Sequence, residues 1–219
     1  MPRELLDRIF VELNLAHESS GVLMAISKYS EELRHSSCST AFAVIQRDST
    51  AAVILSVSKL FEFEKQQRRN PNFGIRSCIA ALRRQERLQV SNSSMIPALE
   101  SFLVHKSRIK EQEKLDSTRI VECLLDYFEE TCPHPKGETT PENDRNLVAV
   151  YALRDKRVAH GDLESIEAHP KTDFEGIQSL LAYAATFYRV VRWGLYGFTP
   201  DELEVKADAY GPEKSRTYK

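Results

Sequence analysis

The stretch DFEGIQSLLAYAATFYRVVRWGLY, residues 173 to 196, decides the fold class of this 219-residue chain. Its apolar residues occupy more than one side of a helix, which is typical of a helix in the middle of a bundle or one shared with a partner chain. These residues are Ile177, Leu180, Leu181, Tyr183, Phe187, Tyr188, Val190, Val191, Trp193 and Leu195. No alternating strand pattern competes elsewhere. The sequence therefore predicts an all-α protein, an up-and-down bundle of four to five long helices.

Apolar residues at helical spacing predict further helices before this stretch. The predicted helices are Arg3–His35 with a candidate break at Ser19-Ser20-Gly21, Ser39–Lys65, Ile75–Gln89, Pro97–Glu130 with a candidate kink in its charged middle, and Asn146–His160. Proline and glycine mark Thr131–Asn143 as the clearest loop. Residues 1–198 are expected to form a single helical domain, and residues 199–219 a partly flexible C-terminal tail.

Composition and charge narrow the class of protein. Apolar residues make up 42% of the chain and charged residues 28%, which is ordinary for a globular protein. The net charge of −2 argues against indiscriminate binding to polyanions. No apolar run approaches the roughly 20 residues needed to cross a bilayer, and the N-terminus lacks an apolar signal core. We therefore expect a cytoplasmic protein with no membrane partner.

Cysteine and histidine give no sign of a metal site. The four cysteines are widely spaced without a C-x-x-C pair, so we expect free thiols. Cys132 and His134 are close in sequence, but two candidate ligands do not make a zinc site. Five of the six histidines, His17 and His134 among them, are expected to be solvated rather than catalytic. The sequence thus predicts neither a metal nor a cofactor.

The segment from Lys59 to Arg87 is locally basic. It holds eight Lys or Arg residues against three Glu, a local charge of +5. Two interpretations stay open: a solvated charged face, or a footprint for the phosphates of a nucleic acid. In the second interpretation the candidate substrate-binding residues are Arg68, Arg69, Arg83 and Arg84.

The segment LRDKRVAHGD, residues 153 to 162, carries the candidate site. At about 100° per residue, Arg154 falls near the centre of an apolar stripe between Val150 and Val158. Charged groups are rarely buried without a partner, so either a carboxylate neutralises this guanidinium or it lines a cleft or subunit interface. His160 lies at the edge of the stripe, one residue before Gly161, a glycine that favours the end of a helix. An arginine and a histidine near the end of a rigid helix are suited to binding an anion and transferring a proton.

This segment resembles the signature of the HEPN superfamily of helical proteins that act on nucleic acids. That signature is an Arg, usually followed by a polar residue, and a His after four to six intervening residues. Arg154 is followed by Asp155, and five residues separate it from His160. The string is most similar to the abortive-infection branch of the superfamily. Arg47-Asp48 with Ile54–Phe61, and the short helix after them, extend the resemblance over most of the chain.

The resemblance implies a four- or five-helix HEPN-like bundle that forms a homodimer and cleaves RNA without metal at a composite site in the dimer interface. It implies catalytic roles for Arg154, His160 and Asp155, with Lys156 and Arg157 extending the groove for flanking phosphates. It also implies a toxin or phage-defence effector with an antitoxin or regulatory protein as partner. Some family members carry a Tyr two residues beyond the His that an antitoxin modifies. This chain has Asp162 there, so that form of regulation is not expected.

The expected chemistry is attack of the RNA 2′-hydroxyl on the adjacent phosphate, which leaves a 2′,3′-cyclic phosphate. Histidine suits the proton transfers because its ordinary pKa is about 6.5, and arginine suits the phosphate because its planar fork keeps its charge. One chain offers one well-placed histidine, and a two-fold dimer would supply two.

Three alternatives stay open. In the first, the chain is a non-catalytic module that binds RNA or nucleotide or serves as a scaffold. In the second, it is a helical partner subunit with no nucleic-acid role. In the third, which is purely structural, the helix dipole favours Lys156, Arg157 and His160 at a helix C-terminus. Arg154 would then pair with Asp126 or Glu122.

Overall fold

The computed structural model describes residues 2–62, 73–86, 88–111, 113–135, 141–155 and 174–197. Within these ranges every regular element is helical and no strand occurs. The elements are α1 (Pro2–Lys28), α2 (Ser30–Arg34), α3 (Ser39–Leu60), α4 (Ile75–Arg83), a 3₁₀ turn (Ser93–Met95), α5 (Ile96–His105), α6 (Ser117–Thr131), α7 (Pro141–Leu153) and α8 (Phe174–Tyr196). The all-α prediction is confirmed.

Helix α8 occupies the centre of the fold. It packs against α1, α3, α5, α6 and α7, which accounts for its apolar residues on more than one side. Phe187 of α8 is fully buried and meets Phe128 of α6 edge to face, with ring centroids 5.2 Å apart. The predicted helix at residues 173–196 is therefore confirmed as a core helix of this chain.

A smaller apolar cluster lies between α5 and α6. Its buried members are Leu99, Leu103, Ile109, Ile120 and Leu124. Phe102 of α5 connects this cluster to the main core, because its ring lies 6.0 Å from the ring of Phe128. Both clusters thus belong to one continuous packed region of the described residues.

Helices α1 and α3 form an antiparallel pair joined through the short α2, and the two ends of this pair differ. Toward one end Leu6, Ile9 and Val57 are fully buried in the main core. Toward the other end, residues 21–50, which we call the hairpin tip, include no buried residue. The pair therefore extends beyond the core as a two-helix projection.

The break predicted at Ser19-Ser20-Gly21 is wrong. Helix α1 runs through these residues to Lys28, because the small side chains of Ser19 and Ser20 are buried within the fold rather than in a turn. The helix ends instead at Lys28, and the next residue, Tyr29, leaves the helical conformation with φ of −109° and ψ of 23° just before α2.

The single helix predicted for Pro97–Glu130 is also wrong, because two helices, α5 and α6, cover this range. Helix α5 ends in a Schellman motif: the N–H of Ser107 donates to Val104 O and that of Arg108 to Leu103 O, both at 2.9 Å. Ser107 has φ of 56°, a left-handed conformation that usually falls to glycine or asparagine. Helix α6 then begins at the N-cap Asp116, whose carboxylate accepts from the N–H of Arg119.

Three other predicted boundaries differ from the structure. Helix α3 ends at Leu60, and the last residues of the predicted Ser39–Lys65 helix lie outside the described residues. Helix α4 ends at Arg83, six residues before the predicted Gln89. Helix α7 begins at Pro141, inside the segment predicted as a loop, because proline fits the first turn of a helix. The predicted tail, residues 199–219, lies outside the described residues.

Candidate functional site

Arg154 lies at the C-terminal end of α7, and two neighbours hold its guanidinium. Nε donates to Oδ1 of Asp155 at 2.8 Å, and Nη2 lies 2.7 Å from the same oxygen. The guanidinium carbon is 4.7 Å from the centroid of the Tyr151 ring, within cation–π range. The side chain of Arg154 is 34% exposed, so the group is oriented and still open to solvent.

A hydrogen bond fixes the position of Tyr151. Its hydroxyl donates to the backbone carbonyl of Phe61 at 2.7 Å, which ties α7 to the C-terminal end of α3. The backbone of Arg154 and Asp155 has π-helical hydrogen bonding, a form that often occurs near functional positions. Tyr151 therefore contacts the Arg154 guanidinium with its ring and the C-terminal end of α3 with its hydroxyl.

The apolar stripe around Arg154 faces the chain's own core. Leu147 and Val150 are fully buried there, because α7 packs against α3 and α8. This part of the stripe therefore needs no second subunit to cover it, contrary to the expectation that the stripe forms a subunit interface. Arg154 lies at the exposed rim where the stripe leaves the core.

The carboxylates proposed for a structural pairing of Arg154 have other partners. Asp126 accepts from Arg83 at 2.6 Å, and Glu122 accepts from Arg119 at 2.8 Å. The only carboxylate that the described residues offer to Arg154 is that of Asp155. A buried ion pair across helices therefore does not explain the position of Arg154.

The remainder of the motif, Lys156, Arg157, His160 and Asp162, lies outside the described residues. The same holds for Arg68 and Arg69 of the predicted phosphate footprint. Of the predicted site residues, the structure brings together Arg154 and Asp155.

Arg83 and Arg84 end α4 and differ in their surroundings. Arg83 contacts Asp126 and Glu129 of α6 at 2.6 and 2.7 Å, so its charge is already matched within the fold. These two carboxylates raise its pKa further. Arg84 is exposed and makes no ion pair with the described residues. Arg83 and Arg154 lie on helices with different neighbours, since α4 packs on α1 and α6 whereas α7 packs on α3 and α8.

Two other cations of the basic segment have structural partners. Nζ of Lys59 lies 2.7 Å from Oε1 of Glu12, and Nη2 of Arg76 donates to the backbone carbonyl of Cys132 at 2.7 Å. Among the described members of the segment, Arg84 alone remains without such a contact. The described part of the footprint thus fits a face that stabilises the fold better than a surface that binds phosphates.

A pocket of about 370 Å³ lies beside the C-terminal end of α3. Its lining residues are Arg8, Ile9, Val11, Glu12, Lys59, Leu60, Glu62 and Phe73. The guanidinium of Arg8 lies 3.5 Å from the centroid of the Phe73 ring. We call this cavity the α3-end pocket. It combines an aromatic ring with two cations and two carboxylates, those of Glu12 and Glu62. The sequence patterns did not indicate it because its residues come from three separate segments.

A buried polar group between α6 and α7 was also missed. His134 and Asp144 are almost fully buried, and the backbone N–H of His134 donates to Oδ1 of Asp144 at 2.6 Å. The prediction that His134 is solvated is therefore wrong. His17 is half-buried too, and desolvation followed by the charge of Arg189 lowers its pKa.

Neither this polar group nor the cysteines form an evident reactive centre. Burial raises the pKa of the Cys132 thiol to about 11 and that of Cys78 to about 12, so both stay protonated near neutral pH. All four cysteines are free, as predicted. In the described ranges, no three His, Cys, Asp or Glu side chains are grouped as a metal site would require. No helix in these ranges combines the length and apolar character needed to cross a bilayer.

No protein-family model, curated protein or solved structure gives a significant match to this chain. The HEPN resemblance therefore depends on the residues of its motif, of which Arg154 and Asp155 are described.

Proposed function

We propose that this chain is a metal-independent endoribonuclease of the HEPN type, in which Arg154 and His160 act on one phosphodiester. The observation that carries the proposal is the setting of Arg154 at the rim of α7. Asp155 engages Nε and Nη2, and the ring of Tyr151 supports the guanidinium, while Nη1 has no partner among the described residues. An oriented guanidinium with a free N–H face is suited to gripping a phosphate oxygen.

The proposed reaction is transesterification within the RNA strand. The 2′-oxygen forms a bond to phosphorus, and the bond from phosphorus to the 5′-oxygen breaks. A base takes the proton of the 2′-hydroxyl, and an acid gives a proton to the departing 5′-oxygen. Arg154 stabilises the charge that develops on the phosphoryl oxygens, a role that contributes about 10²–10³-fold to the rate in comparable sites.

The need for a base and an acid in the same step motivates a shared site. The motif supplies a single imidazole, His160, in each chain. We propose that a second copy supplies the other imidazole, so that two HEPN-like bundles form one composite site. Asp155 acts as a positioning residue, because it fixes the rotamer of Arg154. Lys156 and Arg157 extend the cationic surface along the strand.

The biological setting follows from the same resemblance. We propose a toxin or phage-defence effector that acts on cytoplasmic RNA and is restrained by an antitoxin or regulatory protein. Asp162 stands where some relatives carry a modifiable tyrosine, so the proposed restraint is a protein contact rather than modification at that position.

The test is cleavage of a defined RNA in EDTA, with analysis of the new ends. We expect 2′,3′-cyclic phosphate and 5′-hydroxyl ends from the wild type, and a loss of about 10²-fold or more for Arg154→Ala and His160→Ala. Arg34→Ala is the control, because Arg34 is an exposed arginine of the hairpin tip paired with Glu31. Equal activity in all four proteins would identify a contaminating nuclease and reject the proposal.

Sharing of the site between copies has a separate test. Wild-type chain is co-expressed with the double variant Arg154→Ala/His160→Ala at several ratios. If both copies supply groups to one site, the activity follows the square of the wild-type fraction, whereas a self-sufficient chain gives a linear dependence. A linear result would reject the composite site and leave the ribonuclease proposal intact.

A non-catalytic RNA- or nucleotide-binding module is the second candidate function. The close carboxylate of Asp155 favours it, since a fixed negative charge offsets part of the field of Arg154. This candidate predicts RNA binding that weakens steeply with salt, by a log–log slope of about 0.7 per phosphate contact, with no cleavage. Binding without new RNA ends would select this function over the nuclease.

A further inference from the structure

A stacked pair of side chains forms part of the wall of the α3-end pocket. The guanidinium carbon of Arg8 lies 3.5 Å from the centroid of the Phe73 ring, which places the cation directly over the face of the ring. Arg8 is exposed, and the described residues offer it neither a hydrogen bond nor an ion pair. Its free side is therefore available for stacking with a further flat ring.

The other walls of the pocket suit a small molecule. Ile9 and Leu60, both almost fully buried, supply apolar surface, and so does Val11. The volume of about 370 Å³ lies within the range of pockets that bind small molecules. Such pockets combine apolar walls with a few polar groups that fix the orientation of the ligand.

The charged groups of the pocket balance one another. Arg8 and Lys59 stand with Glu12 and Glu62, which makes two positive charges and two negative ones. Nζ of Lys59 lies 2.7 Å from Oε1 of Glu12, so part of this balance is a direct ion pair. Because the lining has no net charge, it favours a neutral ligand over a phosphate or another anion.

The second oxygen of the Glu12 carboxylate has an unmet hydrogen-bonding capacity. Oε2 is shielded from solvent and accepts no hydrogen bond. Buried acceptors are nearly always satisfied, and an unsatisfied one costs free energy. An N–H group that reached Oε2 from the pocket would remove this cost. The pocket therefore fits a neutral flat ring with an N–H donor at its edge, which is the chemistry of a nucleobase.

The α3-end pocket lies at the same end of α3 as the candidate site. Leu60 and Glu62 line the pocket, and the carbonyl of Phe61 between them accepts the hydroxyl of Tyr151 at 2.7 Å. The ring of Tyr151 in turn contacts the guanidinium of Arg154. A strand of a few nucleotides, the length that single-strand sites commonly cover, is long enough to contact both places.

We infer that the α3-end pocket binds one base of the RNA strand whose phosphate Arg154 contacts. The base stacks on Arg8, which is itself stacked on Phe73, and the N–H edge of the base faces Glu12. Proteins commonly hold unpaired bases by stacking them on aromatic rings and guanidinium planes. The inference rests on the proposal that this chain acts on RNA, and it adds a site that no residue of the motif supplies.

The test measures binding without cleavage. The strands are labelled 2′-O-methyl oligonucleotides of about eight nucleotides, which lack the 2′-hydroxyl that the proposed reaction needs. Fluorescence anisotropy gives the Kd of the full-length chain for an adenine strand and for the same backbone without bases. We expect the wild type to bind the adenine strand about 10-fold more tightly.

The matched variants are Arg8→Ala and Arg3→Ala. Both residues are exposed arginines of α1 that lie over an aromatic ring, but Arg3 lies 5.1 Å from the ring of Tyr196 and outside the pocket. Removal of either exposed side chain is expected to leave the fold intact. We expect Arg8→Ala to abolish the preference for the adenine strand and Arg3→Ala to retain it.

Three results would overturn the inference. The first is the same Kd of the wild type for both strands, or no binding to either. The second is a preference for adenine that Arg8→Ala retains. The third is an equal loss of affinity for both strands in Arg8→Ala, because it would identify a phosphate contact instead of stacking.

The hydrogen bond to Glu12 has its own strand. Unsubstituted purine stacks as adenine does but has no N–H donor at its edge, so we expect its strand to bind more weakly than the adenine strand. Equal affinities would overturn the contact with Glu12. RNA cleavage is not a readout in these measurements. A wild type that prefers the adenine strand through Arg8 but does not cleave RNA would reject the ribonuclease proposal and support the base site.

Discussion

The core end and the hairpin tip of the α1–α3 pair are built from the same two helices but have different surroundings. At the core end, Leu6 and Val57 are fully buried because α4, α7 and α8 cover the pair. At the hairpin tip, Leu23, Ile26 and Phe42 are only partly buried, since of the described elements only α1, α3 and the short α2 pack there. The spacing of apolar residues produces an amphipathic helix, but its apolar face is buried only where neighbouring helices pack against it.

This difference assigns different roles to the two ends. Burial of apolar surface at the core end contributes most of the free energy of folding, at roughly 25 cal/mol per Å². The hairpin tip contributes little of it and opens at lower free energy. Its exposed apolar residues are therefore accessible for contacts with another molecule.

The largest expected contrast is between Phe128→Ala and Phe42→Ala. Phe128 is fully buried, and its ring meets those of Phe102, Tyr183 and Phe187, so truncation is expected to reduce the free energy of unfolding by about 3–5 kcal/mol. Phe42 at the tip is half-exposed, and its truncation is expected to cost about 1 kcal/mol or less. Urea unfolding of both variants measures the contrast. Equal losses would show that the tip belongs to the core.

A smaller contrast comes from replacing a glycine by alanine at each end. A Cβ at Gly74 would lie 3.0 Å from the carbonyl oxygen of Leu60 and 3.1 Å from Glu62 N, both backbone atoms. Gly74→Ala is therefore expected to lower the free energy of unfolding by about 1–3 kcal/mol. Gly21 lies inside α1 toward the tip, where alanine favours the helix by about 0.5–1 kcal/mol. The two substitutions should shift the urea midpoint in opposite directions. Shifts in the same direction would contradict the difference between the core end and the hairpin tip.

The smallest expected effect is the pH dependence contributed by His17. Desolvation and the charge of Arg189 lower the pKa of His17 in the folded protein. The unfolded chain then binds the proton more readily, so folding stability falls as pH drops below about 6.5. His17→Gln should flatten the decrease in stability between pH 7.5 and 5.5, whereas His35→Gln, at the exposed tip, should leave it unchanged. Identical pH profiles for the wild type and His17→Gln would show that this histidine is not coupled to folding.

The sequence predicted elements best where periodicity and boundary signals agreed. The apolar pattern of residues 173–196 defined α8 almost to the residue, and its all-round character matched its central position. The break between α5 and α6 was missed because Ser107, and not glycine, adopts the left-handed conformation that ends α5. The N-cap signal at Asp116 was present in the sequence and would have placed the start of α6.

The surroundings of the candidate site were less predictable from the sequence than the helices. Arg154 and Asp155 are adjacent in the motif, and their side chains lie 2.7 Å apart in the structure, whereas their catalytic roles stay a prediction. The support from Tyr151 depends on the carbonyl of Phe61, 90 residues earlier in the chain, which no local pattern reveals. Arg83 was assigned to a phosphate footprint because its two carboxylate partners are distant in sequence.

The ribonuclease proposal is tested most directly by the initial rate of RNA cleavage in EDTA by Arg154→Ala, relative to wild type and to Arg34→Ala. Both variants remove one exposed or half-exposed arginine that is ion-paired to a nearby carboxylate, so they match in charge and in expected stability. We expect a rate at least about 10²-fold lower for Arg154→Ala and unchanged for Arg34→Ala. Equal rates for the three proteins, with all three folded, would contradict a catalytic role of Arg154.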